Sequence, residues 1–341
     1  MKIEVDAKYL TSLFSDFVKG NKVMFNFKTN GKVLDVQMLG DYTACTLIPV
    51  KSLDGDTKEC DASFWVTKAI AIMDVDKPVQ ITFADAVIFF EQDAFNSTFV
   101  KEHEERRVFP NTDGISLSPA YANRLKYLTH SVISCTGLAK ELSIADPDPV
   151  FSNKKFYADY RQTFFIENME YPEFCVPLST LRDFVFKLEE KAEYAYLPDL
   201  NVVYFKSGRY EFWIPTNNYN ISGAVISAID KKLGECVKVT ELSFVNYVDK
   251  LSILSTAFPK QKMSLLVGNG TFSIAINNSD VQCTVGDSIN NSLLGINLTS
   301  GQVTVISKLF KEDEKVECLR GGNCICLRSG EKNLLIAGMI Y

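Results

Sequence analysis

The most constraining feature of this 341-residue sequence is a plan that occurs three times: a short strand, a capping residue and an amphipathic helix. The caps are Asp6, Ser118 and Thr240, which lie 112 and 122 residues apart. Oxygen-bearing side chains at this position accept hydrogen bonds from the free N–H groups of a first helical turn. Apolar residues follow each cap at the spacing of one helix face. The period exceeds the roughly 20–50 residues of solenoid repeats, so it predicts a triplicated domain.

A second helix recurs in phase with the first. Its predicted caps are Ser63, Ser179 and Ser300, which are 116 and 121 residues apart, and in the first repeat it is expected to cover Phe64–Met73. Alternating runs between the helices predict antiparallel strands, and Asn30-Gly31 is a strong hairpin signal. The fold class is therefore α+β, with two helices packed on antiparallel sheet in each repeat. The predicted domains are 1–112, 113–233 and 234–341.

Composition, the N-terminal sequence and cysteine usage predict a cytoplasmic protein. The formal net charge of −6 disfavours a protein that binds nucleic acid over its whole surface, but it allows cations gathered on one inner face. No run approaches the roughly 18–20 apolar residues of a membrane span, and the N-terminus lacks a secretion signal. Nine cysteines without a framework spacing indicate reduced thiols.

Catalytic and metal sites are not indicated by the motifs. The chain has only two histidines, His103 and His130, and it contains neither G-x-S-x-G nor a phosphate-binding glycine loop. Cys318, Cys324 and Cys326 invite a zinc interpretation, but the paired C-x₂₋₄-C spacing is absent and buried thiols are favoured. We therefore expect no enzyme activity and no cofactor.

Several segments resemble the bacterial-type DNA polymerase sliding clamp, the β clamp. The matching stretches are the opening MKIEVDAKYL, Ile253-Leu254-Ser255, the Gly268-Asn269-Gly270 turn with Ser-Ile-Ala-Ile-Asn-Asn at 273–278, Leu294-Gly-Ile-Asn, and the terminal run Asn333–Tyr341. Their order and spacing cover essentially the whole chain. Two departures stand out: the family's Thr-Asp-Gly-His-Arg-Leu segment corresponds at best to Ala158–Thr163, and Gly338 replaces the proline of its C-terminal tail. The resemblance implies a divergent member, of cellular or phage origin.

The resemblance implies that each chain forms half of a ring, with two chains joined head to tail and the polar helix faces lining the hole. Double-stranded DNA would be held through its phosphates without base readout. The implied pore residues are Lys8, Lys19, Lys68, Arg124, Lys126, Arg182, Lys187, Lys250, Lys308 and Lys311. The alternative is that these cations are only the solvated faces of amphipathic helices.

Two further sites follow from the resemblance. A groove between repeats two and three would accept an extended partner peptide near Phe151, Tyr157, Tyr160, Thr163, Met339, Ile340 and Tyr341. The alternative for its last three residues is a terminal strand that covers the sheet. Ile253 and Leu254 correspond to the ring interface, although both also suit the core face of a helix.

The sequence thus predicts a sliding clamp that acts as a processivity factor in DNA replication. Its expected partners are duplex DNA, a DNA polymerase, a clamp loader ATPase and a second copy of the chain, with no membrane. The alternative is a monomeric clamp-fold interaction protein that recruits or sequesters clamp-binding partners without encircling DNA.

Overall fold

The structure is a computed structural model that describes residues 1–18, 22–55, 59–67, 74–141, 145, 147–160, 163–217, 223–259, 261–277, 282–311 and 313–337. The chain divides into two compact units. Unit 1 comprises Met1–Asn123 and Asp183–Pro215, and unit 2 comprises Arg124–Arg182 and Thr216–Tyr341. The boundaries of the three repeats at 112/113 and 233/234 stay a prediction.

Unit 1 is built mainly from strands. They are β1 (Lys2–Asp6), β2 (Val23–Thr29), β3 (Val33–Leu39), β4 (Thr43–Asp54), β5 (Cys60–Val66), β6 (Pro78–Phe83), β7 (Val87–Gln92), β8 (Phe95–Val100), β9 (Ser118–Pro119), β14 (Glu193–Leu197), β15 (Val202–Ser207) and β16 (Tyr210–Pro215). All twelve belong to one antiparallel sheet, whose main path runs β8-β7-β6-β1-β4-β16-β15-β14-β9. Strands β2, β3 and β5 branch from that path at β4.

Unit 2 holds the remaining strands. They are β10 (Val150–Ser152), β11 (Lys155–Asp159), β12 (Thr163–Asn168), β13 (Phe174–Cys175), β17 (Val237–Ser243), β18 (Lys262–Val267), β19 (Phe272–Asn277), β20 (Gln282–Gly286), β21 (Leu294–Thr299), β22 (Lys315–Gly321), β23 (Cys324–Ser329) and β24 (Lys332–Ala337). Eight of them form a sheet in the order β13-β10-β11-β12-β24-β23-β22-β17. The other four form a second sheet in the order β20-β19-β18-β21.

Seven α-helices lie in the part of the chain that the structure describes. They are α1 (Ala7–Phe17), α2 (Ala122–Ser134), α3 (Thr136–Glu141), α4 (Leu178–Phe184), α5 (Gly223–Glu235), α6 (Val248–Ala257) and α7 (Ser300–Leu309). Short 3₁₀ turns cover Val185–Lys187 and Pro198–Leu200. Over these same residues no helix is long and apolar enough to cross a membrane.

Sheets in both units continue across the predicted repeat boundaries. In unit 1, β4 pairs with β16 over Thr43–Thr46, which joins residues of the first predicted repeat to residues of the second. In unit 2, β12 pairs with β24 over Thr163–Glu167, which joins the second predicted repeat to the third. The main-chain ladder is therefore shared between repeats that the sequence pattern treats as separate.

The core of the first repeat is aromatic. Phe14 from α1 meets Phe25 from β2 with ring centroids 5.1 Å apart, and Phe27 meets Phe64 at 4.9 Å. Phe90 from β7 completes the group, and all five side chains are fully buried. Edge-to-face pairs of this kind add stabilisation beyond their buried area. The α1 stripe predicted from sequence thus packs on the sheet as expected at Leu10, Leu13 and Phe14.

The predicted cap position is confirmed for α1, whereas the cap of α7 lies one residue earlier than predicted. Helix α1 begins directly after Asp6, as predicted, yet the Asp6 carboxylate caps no N–H group and pairs instead with Lys51 and Lys8. At α7 the cap is Thr299 rather than Ser300. Its hydroxyl accepts from the Gln302 N–H, and the Gln302 side chain accepts from the Thr299 N–H, which completes a capping box.

Three sequence-based helix assignments are wrong. Phe64 to Val66 belong to strand β5, so the helix expected from Phe64 does not begin there; positions 68–73 lie outside the described residues. Thr240 does not cap a helix, because β17 runs on to Ser243 and α6 begins only at Val248. Ser118 and Pro119 form the short strand β9, and α2 begins at Ala122.

Two helices were not predicted. Both are additional to the two helices expected in each repeat: α3 follows α2 directly, and α5 follows the last strand of the second predicted repeat. The signal for α5 was present, since Ile226, Ile229 and Leu233 recur at i, i+3 and i+7.

Candidate nucleic-acid and partner surfaces

Five of the ten predicted pore cations lie on helices of unit 2. Helix α7 packs against both α6 and α3, so these helices lie side by side. Lys250 is exposed in the first turn of α6, Lys308 in the last turn of α7, and Lys311 just beyond it. The Lys308 ammonium donates to the carbonyl of Ser134 at the end of α2, at 3.4 Å. Solvated cations therefore recur along this helical layer.

The other exposed cations of the predicted set lie on separate helices. Lys8 is exposed on α1 of unit 1, 3.8 Å from Asp6, and Arg182 is exposed on α4. Lys126 is half-buried on α2. Lys19 and Lys68 lie outside the described residues.

Arg124 is held by carboxylates of its own unit. Its guanidinium donates to Glu167 Oε1 at 2.7 Å, to Glu331, and to the carbonyl of Asn168 at 3.2 Å. Two acids thus neutralise this cation locally. A phosphate would have to compete with both of them for the same donors.

Lys187 is largely shielded, with 8% of its side chain open to solvent. Its ammonium donates to the Tyr42 hydroxyl at 2.9 Å and lies 3.1 Å from the Asp183 carboxylate. It also lies 5.1 Å from the ring centroid of Phe17. These contacts, all within unit 1, direct the charge of Lys187 into its own unit.

Glu167 is a buried carboxylate opposite Lys332 in the β12–β24 ladder, with 3% of its surface exposed. Among the described residues its Oε2 atom has no hydrogen-bond partner. Burial raises the pKa of Glu167 to about 7, and the nearby charges of Arg124 and Lys332 only partly oppose that rise. The carboxyl is therefore partly protonated at neutral pH.

Unfolding free energy is expected to fall as the pH rises from about 4.5 to about 7. The folded state holds the Glu167 proton more tightly than the unfolded chain, so deprotonation in this window costs stability, on the order of 2 kcal/mol. Glu167→Gln should flatten the dependence, as measured by urea unfolding between pH 4.5 and 7.5. An unchanged slope in that variant would assign the pH dependence to other groups.

The described residues of the predicted peptide groove do not share one open face. Tyr157 faces α5, whereas the Tyr160 hydroxyl donates to the Val132 carbonyl of α2 and Thr163 accepts from Gln302 of α7. Phe151 packs against Phe156, with ring centroids 5.2 Å apart. All four predicted residues are buried. Met339, Ile340 and Tyr341 lie outside the described residues, and the partner groove stays a prediction.

The two residues of the predicted ring interface, Ile253 and Leu254, differ in their exposure to solvent. Ile253 is 67% exposed on α6, whereas Leu254 is 3% exposed and belongs to the core. Helix α6 also packs against β20, which ends the four-stranded sheet. An apolar side chain and an open strand edge therefore lie in the same region of unit 2.

A groove of about 710 Å³ in unit 1 was not anticipated. It lies where the connector 106–112 crosses the sheet, and its charged lining residues are Lys28, Asp35, Arg106, Arg107, Lys206, Arg209 and Glu211. Arg106 pairs with Asp35, and Arg107 donates to the Thr43 hydroxyl. Phe109 stacks on Trp213 at 4.4 Å. These contacts hold the connector 106–112 on the sheet, and the groove is the space beside this connector.

Cysteine chemistry agrees with free thiols. All nine cysteines are unpaired with one another, and Cys318, Cys324 and Cys326 are buried in β22 and β23. Burial raises the pKa of the Cys318 and Cys326 thiols to about 12, which keeps them protonated and unreactive. Within the described ranges, no three histidine, cysteine or acidic side chains gather into a metal-binding group.

Antiparallel sheets pass from one predicted repeat to the next and have helices packed on them, which is an α+β arrangement. Structures of bacterial β clamps share it over the whole chain. The Caulobacter crescentus β sliding clamp matches with a TM-score of 0.73 at 11% identity, covering 99% of both chains. The Helicobacter pylori β clamp bound to a DNA ligase peptide matches at 0.68 and 12%, covering 99% of this chain and 100% of that one.

The Pseudomonas aeruginosa DNA polymerase III subunit β gives the same result, with a TM-score of 0.68 at 9% identity over 99% of this chain and 100% of that one. No protein-family model matches the sequence, and no curated protein sequence matches it. The chain therefore has the fold of the bacterial DNA polymerase III β clamp, and the fold class predicted from sequence is confirmed.

Proposed function

We propose that this protein is a DNA sliding clamp, a processivity factor that encircles duplex DNA and tethers a replicative DNA polymerase. The observation that carries the proposal is the full-length match in both directions to bacterial β clamps, with no large part of either chain left over. Catalysis is no part of this function, and ATP would be used only by a separate clamp loader. The chain would act in the cytoplasm.

Ring closure requires two complementary surfaces on each copy. Strand β8 ends the sheet of unit 1, and β20 ends the four-stranded sheet of unit 2. Open strand edges readily pair with another chain. The exposed Ile253 lies on α6 beside β20, and Val100 is exposed at the end of β8. We propose that β8 of one copy meets β20 of the next, which closes a head-to-tail dimer.

DNA contact is proposed for the solvated cations on the helices: Lys8, Arg182, Lys250, Lys308 and Lys311. Phosphate contacts of this kind are independent of base sequence and release counterions. Arg124 and Lys187 are expected to contribute less to DNA contact, because carboxylates of their own units already pair with them.

Charge reversal on the helical layer should weaken DNA binding without unfolding the protein. In the double variant Lys250→Glu and Lys308→Glu, each chain loses two phosphate contacts, which makes four in the two-chain ring. The slope of log Kobs against log salt should therefore fall by about 3.6 in magnitude. The measurement is equilibrium binding to a short duplex at several salt concentrations.

The matched control is Lys262→Glu with Lys315→Glu, which changes the net charge equally at exposed strand positions. Equal slopes in the two double variants would remove the helices from the DNA contact.

Partner binding is proposed for the sheet that joins β12 to β24. The Helicobacter pylori clamp of the same fold was crystallised with a DNA ligase peptide, which supports a peptide-binding role for this fold. The second candidate function remains a monomeric clamp-fold protein that binds such peptides without encircling DNA. It is favoured if the purified chain has the mass of one copy.

A further inference from the structure

Helix α5 packs on one face of the eight-stranded sheet of unit 2. Ile226 and Ile229 are buried there, and Leu233 is partly buried beside them. The sheet surface beneath is apolar and comes from both halves of the sheet: Tyr157, Ile166, Cys175, Leu319, Cys326 and Leu335. The opposite face of the same sheet is occupied by α2 and α7, through Tyr160 and Thr163. Both faces of this sheet are thus covered, by helices of different kinds.

Helix α5 contacts the sheet through few of its residues. Only two of its thirteen residues are buried, two more are half-buried, and the remaining nine are exposed. Asp230 anchors it to the sheet: its carboxylate accepts from the Lys155 ammonium at 2.7 Å and from the Tyr157 hydroxyl at 3.0 Å. By contrast, eight of the ten residues of α7 are buried. Elements with few buried apolar contacts open at lower free energy than the core.

The apolar surface beneath α5 is shaped for a short amphipathic helix. A helix bound here in the manner of α5 needs branched aliphatic side chains at i and i+3, a leucine at i+7, and an acid at i+4 opposite Lys155. Helix-in-groove recognition between proteins uses the same i, i+3, i+7 anchors.

We propose that the sheet face under α5 is a docking site for an amphipathic helix of a partner protein that carries an acid opposite Lys155, and that α5 occupies this site in the free chain. The proposal rests on the proposed function in one respect: Tyr157, a residue of the predicted partner site, is bonded to Asp230 of α5. A partner helix competes with α5, so its apparent affinity is reduced by the fraction of chains in which the site is open. Release of α5 increases partner binding.

The test uses a fluorescent synthetic peptide with the sequence of residues 223–235 and the full chain carrying Ile229→Asp. This substitution places a charge in the apolar contact and releases α5. Binding measured by anisotropy should be at least tenfold tighter than to the unchanged chain. The matched control is Ala228→Asp, which adds the same charge at an exposed position of the same helix and should bind as weakly as the unchanged chain. A peptide carrying its own Ile229→Asp should not bind.

Equal binding by the Ile229→Asp and Ala228→Asp chains would overturn the proposal. If Ile229→Asp fails to fold, hydrogen exchange on the unchanged chain decides: α5 amides must exchange faster than those of β11 and β24, and equal protection would make α5 a permanent part of the core. The peptide assay needs neither DNA nor a ring. A failed docking site therefore leaves DNA retention intact, and a failed ring leaves peptide binding intact.

Discussion

Replacing Ile253 with aspartate is expected to convert a two-chain particle into single folded chains and to abolish retention on circular DNA. The side chain is 67% exposed in one chain and belongs to α6, which packs against the edge strand β20, so in the proposed dimer it becomes buried. A carboxylate in an apolar interface without a partner opposes association strongly. Light scattering gives the mass, and recovery of protein with nicked circular rather than linear DNA gives retention.

Two controls accompany this variant. Leu200→Asp introduces the same charge at a half-exposed leucine in a 3₁₀ turn of unit 1 and should leave mass and retention unchanged. Leu254→Asp places the charge in the core, where it should unfold the protein rather than yield a folded single chain. If the unchanged protein already has the mass of one chain, the ring proposal fails and the monomeric interaction protein is favoured.

Replacing Phe64 with alanine is expected to destabilise unit 1 by about 3–5 kcal/mol, the usual cost of removing a fully buried aromatic ring. Phe64 lies within ring-contact distance of four other phenylalanines: Phe25, Phe27, Phe90 and Phe99. Both tryptophans, Trp65 and Trp213, belong to unit 1, so tryptophan fluorescence during urea unfolding reports on this unit.

The matched control is Phe186→Ala, because Phe186 is about half exposed and its loss should cost well under half as much. Equal shifts in the two variants would show that the aromatic group around Phe64 is not the centre of this core.

Strands were predictable because their signal is local. The runs Thr163–Asn168 and Tyr210–Pro215 are rich in aromatic and β-branched residues, and they coincide with β12 and β16 in the bounds that the structure gives. Such residues favour strands by themselves, and no distant partner has to be known. The same holds for α1, whose apolar stripe follows a single helix face.

The errors occurred where a distant partner decides between two local possibilities. Thr240 suits a helix cap and also a strand, and β17 continues through it because β22 pairs with it across a bulge after Lys238. Phe64 suits a helix and also a strand, and pairing with Phe25 on β2 makes it a strand. Short windows of sequence contain neither partner.

The candidate sites were predictable only as lists of residue types. Cations at Lys250 and Lys308 are solvated on the helices as expected, whereas Arg124 finds two acids, one of them more than two hundred residues away at Glu331. Tyr157, Tyr160 and Thr163 were grouped because the resemblance to the clamp family places a partner groove in this part of the sequence. A strand sends neighbouring side chains to opposite faces, and the packing partners of each face come from other parts of the chain.

The shared ladders at β4–β16 and β12–β24 have a consequence for how far such a protein can diverge. The bonds at these junctions run between N–H and C=O groups that every residue except proline carries in full, so they do not depend on which side chains flank them. Sequence changes at these two junctions are tolerated as long as the strand pattern is kept and proline is avoided. Main-chain bonds of this kind are compatible with very different side chains, and the full-length match in fold at 9–12% identity agrees with this.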